Sequence, residues 1–168
     1  MPGGGKPSLI KVKGKEHTGR LIALINEIWP EHYTPIIGEA QVKYMLETYQ
    51  SEERIIKEIH DGAEYYILSV NGTDAGYLAL DNKRNAMYLS KLYVVNKLRN
   101  QGFGKFMNDF AEKRTKEEGL TRIYLNVHKN NKNSIKAYEK MGYMKVREVI
   151  KDIGNGFIMD DYIMEKFV

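Results

Sequence analysis

The stretch Lys91-Leu-Tyr-Val-Val-Asn-Lys-Leu-Arg99-Asn-Gln-Gly102-Phe-Gly104-Lys105 runs an apolar segment into a glycine-rich, basic turn that opens onto a helix. A helix start leaves its first N–H groups without partners and carries a partial positive charge, so it favours an anion on its axis. Gly102 and Gly104 have no Cβ, which lets a ligand approach the backbone closely. The chemistry on offer is the binding of a phosphate. Arg-x-x-Gly-x-Gly alone is short enough to arise by chance. Its weight comes from Asn126-Val-His-Lys-Asn-Asn-Lys-Asn133-Ser-Ile-Lys-Ala-Tyr138-Glu-Lys-Met-Gly142-Tyr143, which follows at the distance of the next strand and helix. Two other phosphate motifs fail on single residues. A dinucleotide fingerprint needs a glycine where Met107 stands, and an ATP-type loop needs Ser or Thr after Lys105, where Phe106 stands.

Other chemistries are narrowed by residue type. The chain has no cysteine, which removes disulfides, thiolate nucleophiles and cysteine-held zinc. His17, His32 and His60 share no ligand spacing, and no metal is expected. Lys97, Arg99, Lys105, Lys129, Lys132 and Lys136 fall near the two proposed ligand loops, a concentration that suits a compact phosphorylated ligand. The net charge of +4 is spread among acidic residues, so nucleic acid is not the expected partner. No apolar run approaches the roughly 20 residues of a membrane span, and no secretory leader is visible, so the expected location is cytoplasmic.

At 168 residues, 42% apolar, the sequence predicts one soluble domain over residues 8–168, with residues 1–7 a tail. A first strand is expected over Ser8–Lys13 and an amphipathic helix over Gly19–Ile28, ended by Pro30. A second helix is read over Gly38–Tyr49, and a third, capped by Ser51, runs to Gly62. Trp29, Tyr33, Tyr44 and Tyr49 crowd this region and read as packing residues. The period then changes to strands: Tyr65–Val70, the Asn71-Gly72 hairpin turn, Ala75–Leu80 and Met87–Val95. A helix over Gly104–Glu118 carries Phe106, Met107, Phe110 and Ala111 on its buried face and crosses to a strand over Thr121–Val127, expected parallel to Met87–Val95. A short helix over Asn133–Met141, with Asn133 at the cap, precedes a hairpin of Met144–Ile153 and Phe157–Phe167.

This order resembles the GNAT superfamily of acyl-CoA-dependent N-acyltransferases over nearly the whole chain after Lys6. The likeness rests on Arg99-x-x-Gly102-x-Gly104, on Leu92 and Val94, and on Asn133…Ala137-Tyr138…Met141-Gly142-Tyr143. Tyr33–Ile37, Met45-Leu46, Lys91–Val94 and Gly156–Met164 are most similar to bacterial polyamine (spermidine/spermine-type) N-acetyltransferases. The resemblance implies an α/β fold: a mixed, largely antiparallel central sheet of about seven strands, with a splayed parallel pair and flanking helices. It implies acetyl-CoA as cosubstrate, its diphosphate on the amides of Asn100, Gln101, Gly102, Phe103, Gly104 and Lys105, with Arg99 shaping or charging the turn. The pantetheine arm is then expected along Leu92, Tyr93 and Val94, with Asn126 and Asn133 giving further hydrogen bonds.

The implied activity is acetyl transfer to a primary amine of a small, polyamine-like molecule. Oxyanion support comes from an N–H near Tyr93 or Val94, and Tyr138 is the general acid. Protein or peptide acetylation and a non-catalytic acyl-CoA-binding module stay open, and the resemblance also carries a two-fold homodimer. No Asp, Glu or His lies between Ala86 and Val95, so the base is sought among Glu39, Asp160, Asp161 and His128. Glu39, Glu47, Asp160 and Asp161 also suit a cationic acceptor. Strand alternation lets only one of Asp160 and Asp161 face the site.

Overall fold

The computed structural model describes residues 5–168. Residues 1–4 of the expected tail lie outside that range, and Pro7 already belongs to the first strand. The elements are β1 (Pro7–Lys11), α1 (Gly14–Ile37), α2 (Glu39–Glu47), α3 (Glu52–His60), β2 (Glu64–Val70), β3 (Thr73–Asn82), β4 (Met87–Val94), α4 (Phe103–Glu117), β5 (Arg122–His128), α5 (Lys132–Lys140), β6 (Met144–Gly154) and β7 (Phe157–Phe167).

One seven-stranded sheet runs in the order β1-β2-β3-β4-β5-β7-β6. Every neighbouring pair is antiparallel except β4 and β5, which are parallel. The crossover helix α4 dictates that exception, since a helical return brings the next strand back in the same direction. The closing hairpin lies with β7 against β5, leaving β6 at the sheet edge.

Two cores sandwich the sheet. On one face Met107 and Ala111 of α4 and Ile135 of α5 pack on Leu78, Leu80, Ile123 and Leu125. On the other, Leu21, Ile25, Ile28 and Trp29 of α1, Val42 and Met45 of α2 and Ile55 of α3 pack on Ile67, Tyr77 and Ala79.

Pro30 does not end the first helix. α1 continues to Ile37 with Pro30 and Pro35 inside it. A mid-helix proline costs about 3 kcal/mol. Yet the buried stripe Leu21, Leu24, Ile25, Ile28, Trp29, Tyr33 runs straight through it, and burying two large aromatics returns about 2–3 kcal/mol each. Packing wins over the local breaker. Asn133 is likewise not the cap of α5. That position belongs to Asn131, while Asn133 is an exposed residue of the first turn. Ser51 caps α3 as expected, accepting from the Arg54 N–H at 3.2 Å.

A bulge decides which β4 side chains face which core. β3 and β4 pair Ala79 with Lys91 and Leu80 with Leu89, so Ser90 is an extra residue. The inserted residue switches the alternation: Met87, Leu89, Leu92 and Val94 all join the α4 side, while Tyr88, Ser90, Lys91 and Tyr93 face the opposite side.

Candidate active site

Parallel pairing of β4 with β5 is confined to Met87–Ile123 and Tyr88–Tyr124. Beyond that point the two strands part, and Leu92–Val94 are paired on the β3 side alone. The Val95 N–H donates to Ala75 O at 2.9 Å. By alternation the peptide groups of Tyr93 face β3, while those of Leu92 and Val94 face the gap. Of the two amides expected to support an oxyanion, only Val94's is therefore turned the right way. On the opposite wall, the Lys129 N–H donates to Asp160 O at 3.0 Å. This turns the backbone of Asn126 toward the gap by the same alternation.

The turn expected to hold phosphate lies at the end of this gap. Asn100 has φ of 63° and Gly102 a φ of 87°, left-handed values that curl the chain so that successive amides point to one side. Among the described residues, the N–H groups of Asn100 through Lys105 have no hydrogen-bond partner. Phe103 is buried and anchors the start of α4 in the core, while Asn100, Gln101, Gly102 and Lys105 are exposed. A Cβ at Gly102 would meet nothing within 4 Å, and one at Gly104 only Leu92 Cδ2 at 3.9 Å. The space above the turn is open, and its donors are unspent.

Arg99 fastens the turn. Its Nε donates to Val94 O at 3.0 Å, and its Nη1 donates to Glu31 at 2.7 Å and to Asn96 Oδ1 at 3.2 Å. The guanidinium thus ties the end of β4 to α1. Arg99→Ala should cost about 2 kcal/mol, since bonds to a charged group are lost from a half-buried place; a urea midpoint unchanged from the parent would show that the ties carry no stability. Two of the other basic residues expected near the ligand loops are already paired within the chain. Lys105 is paired with Asp109 at 2.8 Å, and Lys129 is held by Glu148 and Asp160 on the hairpin.

Tyr138 lies half-buried on α5 against the α4-side core, its ring 5.5 Å from that of Tyr143. Its hydroxyl has no hydrogen-bond partner among the described residues. Burial, with a smaller contribution from Tyr33, holds the phenol well above the ordinary tyrosine range. It is protonated at any neutral pH. Tyr33 and Tyr93 meet across the gap's floor with hydroxyls 2.7 Å apart. Burial pushes Tyr33 up to about 12. Trp29 stacks on Tyr33 at 4.4 Å and donates its indole N–H to the Tyr77 hydroxyl at 3.0 Å. The packing role expected of these aromatics holds, and Trp29, Tyr33 and Tyr49 also form a wall.

That wall bounds a cleft of about 440 Å³ on the α1 side of the sheet. Asp161 and Asn126 line it from β7 and β5, with His128 at the end of β5. Asp161 is 7% exposed. Its Oδ2 lies 3.5 Å from Asn126 Nδ2, and its Oδ1 is buried without a partner. Burial raises the carboxyl above the ordinary range, while the Asn126 hydrogen bond and His128 pull it back. Asp160 points the other way, to Lys129, as alternation requires. Glu39 and Glu47 are exposed residues of α2 and do not line the cleft. His128 Nδ1 accepts from the Asn130 N–H at 3.1 Å, and the ring lines the cleft beside Asp161. Asn133, expected beside the cofactor arm, points its exposed side chain away from the core.

Sequence reasoning missed the polar and charged group at the α3 end of this cleft: Lys91, Glu58, Arg54 and Gln50. Lys91, 8% exposed, lies across Ala79 and donates to the Tyr65 hydroxyl at 2.9 Å. Tyr65 donates to Glu58, which is also 3.8 Å from Lys91 Nζ and 3.1 Å from Arg54. Burial lowers the Lys91 ammonium's pKa, against the pull of Glu58. Gln50 is buried beside them with its carboxamide oxygen unpartnered.

A strand pair that parts beside a run of unpartnered amides sets a free backbone edge and a seat for an anion side by side. Residues 21–143 match the Acetyltransferase (GNAT) family, and the chain belongs to that family. Over 145 residues it is 27% identical to a spermidine N(1)-acetyltransferase of Thermoplasma acidophilum, covering 83% of this chain and 88% of that one. Over 154 residues it is 25% identical to an N-acetyltransferase encoded in the pepI 3′ region of Lactobacillus delbrueckii subsp. lactis, covering 86% and 88%. The fold is shared with the PaiA N-acetyltransferase of T. acidophilum, solved with coenzyme A, at a TM-score of 0.79 and 24% identity over 96% of this chain and 99% of that one. A GCN5-related N-acetyltransferase of Rhodopseudomonas palustris superposes at 0.82 with 18% identity, covering 97% and 96%.

Proposed function

We propose that the protein transfers the acetyl group of acetyl-CoA to the primary amine of a small molecule by direct attack in the gap between β4 and β5. The observation that carries this is the run of unpartnered amides from Asn100 to Lys105 at the end of a strand whose gap-facing edge is free. A diphosphate is the ligand that such a nest accepts. The edge at Leu92 and the Val94 N–H, the Val94 carbonyl being held by Arg99, suits an amide-bearing arm laid alongside as an added strand, with Asn126 on the far wall.

When bound, acetyl-CoA supplies an activated thioester carbonyl and a sulfur leaving group. The Val94 N–H supports the charge that develops on the carbonyl oxygen, and the Tyr138 phenol gives its proton to the departing sulfur. Asp161 takes a proton from the acceptor's ammonium, directly or through water, which frees the amine lone pair that attacks the thioester carbonyl. A buried carboxylate with a raised pKa is a better base than a solvated one. Polyamines are the acceptor class suggested by the likeness to a spermidine N(1)-acetyltransferase, and Asp161 gives an ammonium its counter-charge.

Thiol release from acetyl-CoA over a panel of polyamines, amino acids, peptide N-termini and neutral amines tests the reaction. Binding of acetyl-CoA with no amine-stimulated release would leave only a ligand-binding module. Asp161→Asn should lower kcat/KM about 100-fold and remove the acid limb of the pH profile. In the parent that limb should lie above the ordinary carboxylate range, because the raised pKa keeps Asp161 protonated to a higher pH. An intact acid limb in the variant would take Asp161 out of the mechanism.

A further inference from the structure

The walls of the acceptor cleft are charged unevenly. Its cations are Arg54, Lys83, Lys91 and Lys151, and its carboxylates are Glu58, Asp81 and Asp161. Lys83 is spent on Asp81 at 2.8 Å. At the α3 end, one carboxylate, Glu58, serves both Arg54 and Lys91, so that end holds one positive charge more than its carboxylates can match. Lys91 cannot swing into water to relieve the excess. Its stem lies across Ala79, which stands in register between Lys91 and Tyr65, and its ammonium has three donors but only the Tyr65 hydroxyl at hydrogen-bond distance. A buried cation with unspent donors is expensive unless something completes its shell. At the opposite end the need is reversed: Asp161 Oδ1 is a buried acceptor with no donor bound to it among the described residues.

From these two ends we infer that the acceptor is bipolar: a primary amine at Asp161 carrying a carboxylate that docks on Lys91 and Arg54. This rests on acetyl transfer in the cleft being the reaction, and it departs from the polyamine form of that reading. A second ammonium at the α3 end would meet two cations sharing one carboxylate, one of them, Lys91, buried where water screens it little. Across the strands the gap lies one and a half to two spacings from Ala79, while Asp161 on β7 lies three away; an amine in the gap, facing Asp161 directly or through water, and its carboxylate should stand roughly 7–10 Å apart. An extended ω-amino acid or a short peptide has that reach.

Three linear amines of equal length separate the possibilities: 6-aminohexanoate, hexylamine and 1,6-diaminohexane, which end in an anion, a methyl group and a cation. Thiol release gives kcat/KM for each. The shift of Tm by each ligand, with CoA present, gives the same ranking without turnover. 6-Aminohexanoate should lead hexylamine about tenfold, the worth of one charge-assisted bond, and diaminohexane should come last. Lys91→Met should bring the ratio of aminohexanoate to hexylamine close to one, and Arg54→Gln, on an exposed part of α3, should lower it without touching the buried stem. Diaminohexane in first place, or a ratio unchanged in both variants, would overturn the bipolar acceptor. Absence of thiol release with all three, while the Tm ranking stays as expected, would instead sink the transfer reaction and keep the charge preference.

Discussion

Tyr138→Phe should lower kcat by about 10²- to 10⁴-fold, the usual worth of a positioned general acid, and leave CoA affinity within about twofold of the parent, since only an oxygen is removed. The expectation follows from where the hydroxyl is. Tyr138 is half-buried, its ring packed on Tyr143 and its hydroxyl without a hydrogen-bond partner among the described residues, so the group holds nothing together there and Phe keeps every apolar contact. The sign of its pKa shift adds a second test. A phenol raised by burial stays protonated beyond the ordinary tyrosine range, so activity that depends on it should persist to higher pH than free tyrosine would allow, then fall. In Tyr138→Phe that alkaline fall should vanish along with most of the rate. Stopped-flow measurement of the acetyl-transfer step, free of product release, separates the outcomes. A parental rate in the variant would mean that the thiolate leaves unprotonated or takes its proton from water.

How far the sequence foretold this site depends on whether the deciding interaction is local. The Asn71-Gly72 turn, the Ser51 cap and the crossover from β4 through α4 to β5 are written in neighbouring residues, and they stand where periodicity and turn chemistry put them. The parting of β4 and β5 was legible too, because a free backbone edge is a stereochemical requirement of the proposed arm. Pro30 misled because propensity is local, while the stripe from Leu21 to Tyr33 is paid by the sheet beneath it. Asn133 misled by two residues, the ordinary uncertainty of a helix start. Lys91 was not legible at all. In the string Ser90-Lys91-Leu92 it looks like the solvent side of an alternating strand. Only the Ser90 bulge and the alignment with Ala79 and Tyr65, facts of register across three strands, turn it into the cleft. Glu58 reads as the polar face of a short helix for the same reason. Asp161 could be narrowed to one of two by alternation, and the pairing of His128 with Asp161 across β5 and β7 is what points it inward.

Gly104→Asp should separate folding from cofactor binding more sharply than any other substitution in the chain. Unlike Gly102, Gly104 does not adopt a positive φ, and an added Cβ meets only Leu92 Cδ2 at ordinary contact distance, so the backbone is not strained by a side chain. Replacing a helical glycine by Asp, itself a poor helix former, recovers about 0.3 kcal/mol, and a carboxylate in the first turn of α4 interacts favourably with the helix dipole, adding about 0.3–1 kcal/mol. The variant should therefore be as stable as the parent or melt a few degrees higher. The same carboxylate stands among the free amides of Asn100–Lys105, where it takes up the donors and repels a diphosphate. Like charges forced together at an interface cost several kcal/mol, so CoA affinity should fall about 100-fold or more, at 1.4 kcal/mol per factor of ten. Calorimetric titration of CoA and a thermal melt on the same preparation decide it. The result that contradicts the placement is tight binding by the stable variant, because no other feature of the turn distinguishes a seat for phosphate from an ordinary helix start.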